Sequence, residues 1–172
     1  SSNGDDLTGS SSGLSLNHSI DPRVASILVG GDGNDTIRGL STWDIIDGKA
    51  GDDLIHGGDG RDFLSGGLGN DDLHGEEGSD TIRGDEGNDL IYGGDGDDQL
   101  SGGAGDDSLL GGAGDDTYTV NSGNDTIVVG GGTDSLVMGG RMTGAILTDD
   151  NSDGKFDLEL TGVSDGEVYT AT

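Results

Sequence analysis

A large apolar residue recurs at every ninth position from Ile37 onward: Ile37, Ile46, Ile55, Leu64, Leu73, Ile82, Ile91, Leu100, Leu109, Tyr118, Ile127 and Leu136. Two places before each stands an aspartate, without exception: Asp35, Asp44, Asp53, Asp62, Asp71, Asp80, Asp89, Asp98, Asp107, Asp116, Asp125 and Asp134. Two places earlier again the residue is glycine in every unit but one, where Thr42 stands. Gly30 to Val137 therefore reads as twelve consecutive units G-G-x-G-x-D-x-U-x, U being large and apolar, with no insertion or deletion. The third and fifth places vary while the sixth does not. A phase held without slip over 108 residues has a structural period behind it.

Each unit divides in two. The glycine-rich first six places, such as Gly57-Gly58-Asp59-Gly60-Arg61-Asp62, supply the permissive backbone of a tight turn. The last three, such as Phe63-Leu64-Ser65, predict a short strand with one side chain inward and two outward. Two units complete a flattened eighteen-residue coil, so residues i and i+18 stack at about 4.8 Å. The expected fold is all-β: a two-sheet parallel β-solenoid of about six coils, roughly 29 Å tall, with both eighth-place rows meeting inside. Residues 1–29 are expected as an N-terminal lead-in and cap, with a loop over Ser10 to Asp21 and a strand over Val24 to Val29. Gly4 to Gly9 resembles half a repeat. Residues 138–172 are expected as a C-terminal capping β-hairpin, with strands over Met142 to Thr148 and Phe156 to Leu160. Val120 and Val129, replacing first-place glycines, suggest turns degrading toward that cap.

Composition changes the picture sharply. The formal net charge is -28, from 35 acidic and 7 basic residues, with 38 glycines and 28% hydrophobic residues. Without the strict phase these figures would describe a disordered acidic tail. With it, they describe a chain that folds only when something cationic removes its self-repulsion. Carboxylates stacked at about 4.8 Å repel by about 1–3.5 kcal/mol per neighbouring pair, for effective dielectrics from 80 to 20. Cysteine is absent, so disulfides and thiolate metal sites are excluded. No apolar run approaches a membrane span, no signal-peptide pattern stands at the start, and nucleic acid or an anionic membrane would be repelled.

Calcium fits the turns. It accepts six to eight oxygens in flexible geometry, whereas magnesium demands an octahedron and zinc prefers nitrogen or sulfur. The sixth-place aspartates supply carboxylate and the glycine-lined turn can direct several carbonyls. One edge stacks Asp35, Asp53, Asp71, Asp89, Asp107 and Asp125, the other Asp44, Asp62, Asp80, Asp98, Asp116 and Asp134, which leaves ten gaps. Ten divalent ions would reduce the charge from -28 to -8. The Gly39 to Asp47 turn is the weakest, because Leu40 and Thr42 replace glycines beside the bulky Trp43. About eight filled sites are expected. Asp149, Asn151, Asp153 and Asp157, with Gly154, match an oxygen-rich calcium loop, but Leu160 stands where its bidentate Glu belongs. One further ion and a plain Asx-rich turn both remain open there.

On these residues Gly30 to Val137 resembles the RTX family, the haemolysin-type calcium-binding nonapeptide repeats. The resemblance implies a parallel β-roll with calcium in its turns. It also implies a secreted, extracellular or bacterial cell-surface setting, with larger parent polypeptide domains and a type I secretion channel as partners. The chain would then be unfolded at low cytosolic calcium and fold outside the cell.

The leading functional expectation is a calcium-dependent folding and stabilising module that supports secretion of a larger protein. The alternative is a module binding polysaccharide or cell surface, in which the outward row Arg38, His56, His74 and Tyr92 engages an acidic polysaccharide. Two solvated histidines are the plainer account of that row. Exposed Trp43, Ile45 and Phe63 offer a patch for a neighbouring domain or a sugar chain. No catalytic residues are assigned and no enzyme is expected, since no nucleophile, base and orienting group can be placed together.

Overall fold

A computed structural model describes residues 6–8, 15–17, 25–138, 144–149 and 158–161. They form two parallel sheets, and the chain passes from one to the other with every turn. Sheet one runs, in spatial order, Asp6–Thr8, Ile27–Asp32, Ile45–Ala50, Phe63–Leu68, Thr81–Glu86, Gln99–Ala104, Thr117–Val120, Asp134–Met138 and Leu158–Thr161. Sheet two runs Ser15–Asn17, Thr36–Arg38, Leu54–Gly60, Asp72–Gly78, Leu90–Asp95, Ser108–Ala113, Asn124–Val129 and Gly144–Asp149. Within the repeats the register is eighteen residues: Ile46 pairs with Leu64, and Leu64 with Ile82. This is the all-β, two-sheet parallel solenoid that the nine-residue period predicts.

The core is a single file. All twelve eighth-place residues are buried, and Leu28 extends the file by one unit. Tyr118 alone brings a polar atom into it, and its hydroxyl donates to the Val128 carbonyl at 3.3 Å. Val120 and Val129 join the same core, so these valines add apolar packing where a degraded turn was expected.

The strands are longer than three residues. Most run from the seventh place of one unit to the third of the next, so the glycine-rich segment is partly strand. Side chains alternate: sixth, eighth and first places face in, seventh and ninth face out. The first-place residue drops out of the pairing, as at Gly48 and Gly66, but Lys49 with Gly67 and Ala50 with Leu68 restore it. Second-place residues make this bend with positive φ, including the non-glycines Lys49 (φ 83), Glu76 (φ 80) and Asp85 (φ 77).

The two sheets also continue beyond the repeats at both ends. Leu7 pairs with Leu28 and Leu16 with Ile37, so part of the expected loop over Ser10 to Asp21 is strand. At the other end Leu147 pairs with Ile127 and Leu160 with Leu136, each in parallel. The expected C-terminal strands therefore exist, but they lie in opposite sheets and do not form a hairpin. These outer pairings span 20 to 24 residues by their numbers, which hides them from a nine-residue pattern.

Fourth-place glycine has a steric cause. At Gly78 φ is 137, and a Cβ there would collide with the Gly60 carbonyl of the coil below. Gly131, in a third place, has nothing within 4 Å of such a Cβ. Gly78→Ala is therefore expected to cost about 1–3 kcal/mol or more and to raise the calcium concentration needed for folding, while Gly131→Ala leaves it nearly unchanged. Circular dichroism during calcium titration of both variants checks this.

Candidate metal centre in the turns

Every sixth-place aspartate is buried, at most 3% exposed, in a position where a carboxylate needs strong compensation. One oxygen is accounted for. Oδ1 accepts the backbone N–H of the sixth-place residue one coil earlier: Asp53 from Asp35 at 2.7 Å, Asp71 from Asp53 at 2.8 Å, Asp116 from Asp98 at 2.9 Å. The series starts below the repeats, where Ser26 donates to Asp44 at 2.7 Å. The side chain thus staples consecutive coils.

The second oxygen is the anomaly. In Asp53, Asp62, Asp71, Asp80, Asp89, Asp98, Asp107 and Asp116, Oδ2 is buried and accepts no hydrogen bond. These atoms face the first-place glycines. A Cβ on Gly57 would lie 2.5 Å from Asp62 Oδ2 and 2.9 Å from the carbonyl oxygen of Gly75 in the next coil. Second- and fourth-place carbonyls point up the stack instead: those of Leu40 and Gly60 aim at Gly58 and Gly78. Each gap between coils therefore gathers oxygen from below and above. Among the described residues no three His, Asp or Glu side chains cluster as a metal site. Main-chain carbonyls would have to complete any coordination shell, which suits a hard, oxygen-seeking cation.

The electrostatics agree. Burial, reinforced by the neighbouring carboxylates, pushes Asp62, Asp71, Asp98 and Asp116 up to about 7 and Asp107 up to about 6, against the lowering effect of the amide bond each accepts. Asp53, Asp80, Asp89 and Asp125 are raised for the same leading reason.

The Gly39 to Asp47 turn is different, as expected. Its strand stops at Arg38, and the Leu40 N–H donates to Asp44 Oδ2 at 3.3 Å, occupying the oxygen that stays unused in the central turns. Asp35, Asp44, Asp125 and Asp134 take the same sixth-place position as the rest. Asp149 ends the strand Gly144–Asp149 and pairs with Val129. Asn151, Asp153 and Asp157 lie outside the described residues.

The fifth place carries structure that the nine-residue pattern conceals. On one edge Asn34, Asp52, Asn70, Asn88 and Asp106 each accept, through Oδ1, the fifth-place N–H of the next coil, at 2.8–3.0 Å. On the other edge the ladder runs through Ser79, Asp97 and Asp115, with Trp43 and Arg61 in the equivalent earlier places. The fifth place is thus not freely variable. Its Asn/Asp preference emerges only at a period of eighteen.

The outward row on sheet two forms as expected, with Arg38 beside His56 and His74 beside Tyr92. His56 stacks on His74 at 4.7 Å and His74 on Tyr92 at 4.6 Å, each with 10° between planes. Each histidine also meets a carboxylate at 2.8 Å, His56 with Glu76 and His74 with Asp72. Faces engaged in stacking are closed to a sugar, and the adjacent acids oppose an anionic ligand.

The raised aspartates set a pH dependence for the metal-free protein. Their folded values exceed the ordinary 3.8, so the folded state binds more protons between about pH 4 and 7. That stabilisation is fully present below about pH 4 and is lost as pH rises through about 7. In chelator, the β signal in circular dichroism is expected to be stronger near pH 4.5 than at pH 8.

The family model for the RTX calcium-binding nonapeptide repeat matches in four copies, over residues 25–55, 39–73, 74–109 and 110–140. No curated protein and no solved structure matches the chain. Repeats of this kind bind calcium and occur in proteins secreted by type I systems. The matched repeats, the parallel roll and the turn carboxylates agree: the chain belongs to the RTX calcium-binding nonapeptide-repeat family.

Proposed function

We propose that this chain is a calcium-triggered folding and stabilising module that serves the secretion and extracellular folding of a larger protein, without catalysis of its own. The observation that carries the reading is the set of eight buried aspartate oxygens with no hydrogen-bond partner, repeated coil after coil in a chain of net charge -28. Leaving them so is costly, and a divalent cation in each gap removes the cost. Asp53, Asp62, Asp71, Asp80, Asp89, Asp98, Asp107 and Asp116 would hold the ions together with turn carbonyls, which supports about eight ions.

Because the ion would bind the folded turns and not the extended chain, calcium concentration would decide whether the roll exists. Low cytosolic calcium would keep the chain extended for a type I channel, and higher calcium outside would close it. The family's occurrence in type I secreted proteins supports this order of events.

Calcium titration followed by circular dichroism and calorimetry is expected to show a cooperative coil-to-β transition at about 0.1–1 mM, the weak end of the calcium range. Asp89→Ala is expected to shift the midpoint further than Asp35→Ala, since Asp89 lies in the middle of the stack, between the Asp71 and Asp107 coils, whereas Asp35 belongs to the first unit. A metal-free chain already compact at neutral pH, unaltered by added calcium, would overturn the reading.

A further inference from the structure

First-place glycines face the oxygens that the turns leave unused. In each of the eight units whose first places run from Gly48 to Gly111, a Cβ on that glycine would collide with Oδ2 of the unit's own aspartate. On Gly75 and Gly84 it would also lie 2.5 and 2.6 Å from the carbonyl oxygens of Gly93 and Gly102, one coil further along. A side chain in first place would therefore fill the space where carboxylate and carbonyl oxygens converge.

Two units carry such a side chain. Val120 and Val129 take the first place in the last two units, one on each edge, and these residues are 1% and 4% exposed within the core. Stacking survives the change: the Asp107 N–H donates to Asp125 Oδ1 at 3.1 Å, and the Asp116 N–H to Asp134 Oδ1 at 2.8 Å. What stops is the buried carboxylate oxygen without a partner, which recurs up to Asp107 and Asp116 and, among the described residues, goes no further. The column of carboxylates stops with it. Ala145 stands in register with Asp125, and Leu158 with Asp134.

We propose that a first-place valine takes the place of a calcium ion, so that Val120 and Val129 close the metal series at the upper end of the repeats. An ion in either of these turns would meet a sixth-place carboxylate from one coil only, since the next coil has none in register. Apolar packing needs no second carboxylate. The valine methyl groups therefore hold the last repeat coil where a cation holds the others, and the first-place residue sets how many ions the roll takes. A limit on the ion count presupposes that the turns bind calcium at all, so this inference rests on the calcium reading.

The test uses the full chain in millimolar calcium, with folding confirmed first by circular dichroism and bound calcium counted per chain by equilibrium dialysis. Val129→Gly is expected to hold one ion more than the parent chain. Val129→Ala loses much of the same packing but retains a Cβ in the oxygen-lined space, so it is expected to hold the parent number. Gly93→Val, in the middle of the stack, is expected to fold with one ion fewer. A folded Val129→Gly chain with the parent number, a Val129→Ala chain that gains an ion as the glycine variant does, or a folded Gly93→Val chain with the full number would each overturn the proposal. The two Val129 variants decide the matter even where Gly93→Val does not fold. A parent chain that bound no calcium would instead defeat the folding reading.

Discussion

The structure depends on a carboxylate whose two oxygens do different work. One accepts an amide from the coil below and fixes the stacking distance; the other is buried and without a hydrogen-bond partner in the eight central turns. A buried anion half satisfied in this way is costly. Repeated along two edges, it becomes a constraint on the whole chain. The same residue that builds the solenoid also opposes it, and a hard cation shared between coils resolves the conflict. Because each coil contacts only its neighbours, ordering one turn prepares the next, and metal and fold become one equilibrium.

A second ladder runs the opposite way. Sixth-place carboxylates accept amides from the coil below, whereas fifth-place side chains accept them from the coil above. Turn amides at both places are therefore satisfied by side chains. The turn 39–44 shows what happens when the pattern lapses. Leu40 replaces the second glycine, and its N–H occupies the carboxylate oxygen left unused in the central turns. Trp43 in the fifth place provides no acceptor, and the upward ladder on that edge begins only at Ser79.

Much of this was legible in the residues. The aspartate and aliphatic series fixed the period, the two sheets, the inward rows and the weak turn, because those places allow one side-chain type each. What escaped notice did so for physical reasons. The six-residue strands were obscured because glycine signals a turn, yet here second-place residues bend the chain without breaking the pairing. The fifth-place ladder was obscured because neighbours in space are eighteen apart, and averaging the two edges blurs Asn34, Asp52, Asn70 and Asn88 with Trp43 and Arg61. The pairing of the outer strands escaped notice because partners there stand 20 to 24 residues apart, so Leu7, Leu16, Leu147 and Leu160 fall out of phase while keeping their places in the sheets.

The division of labour within a unit explains why a monotonous sequence can still be particular. First, fourth, sixth and eighth places carry the turn geometry, the carboxylates and the core, and nearly every substitution there meets backbone or buried charge. Seventh and ninth places bear none of that load, so their residues are free to differ between the two faces. On sheet two His56, His74 and Tyr92 stack on one another and both histidines meet carboxylates. On sheet one the outward seventh and ninth places from Phe63 to Thr119 carry no carboxylate, and Ile45 and Phe63 stay exposed. The roll is thus fixed by the inward places of each unit, and the two faces take their different characters from the seventh and ninth.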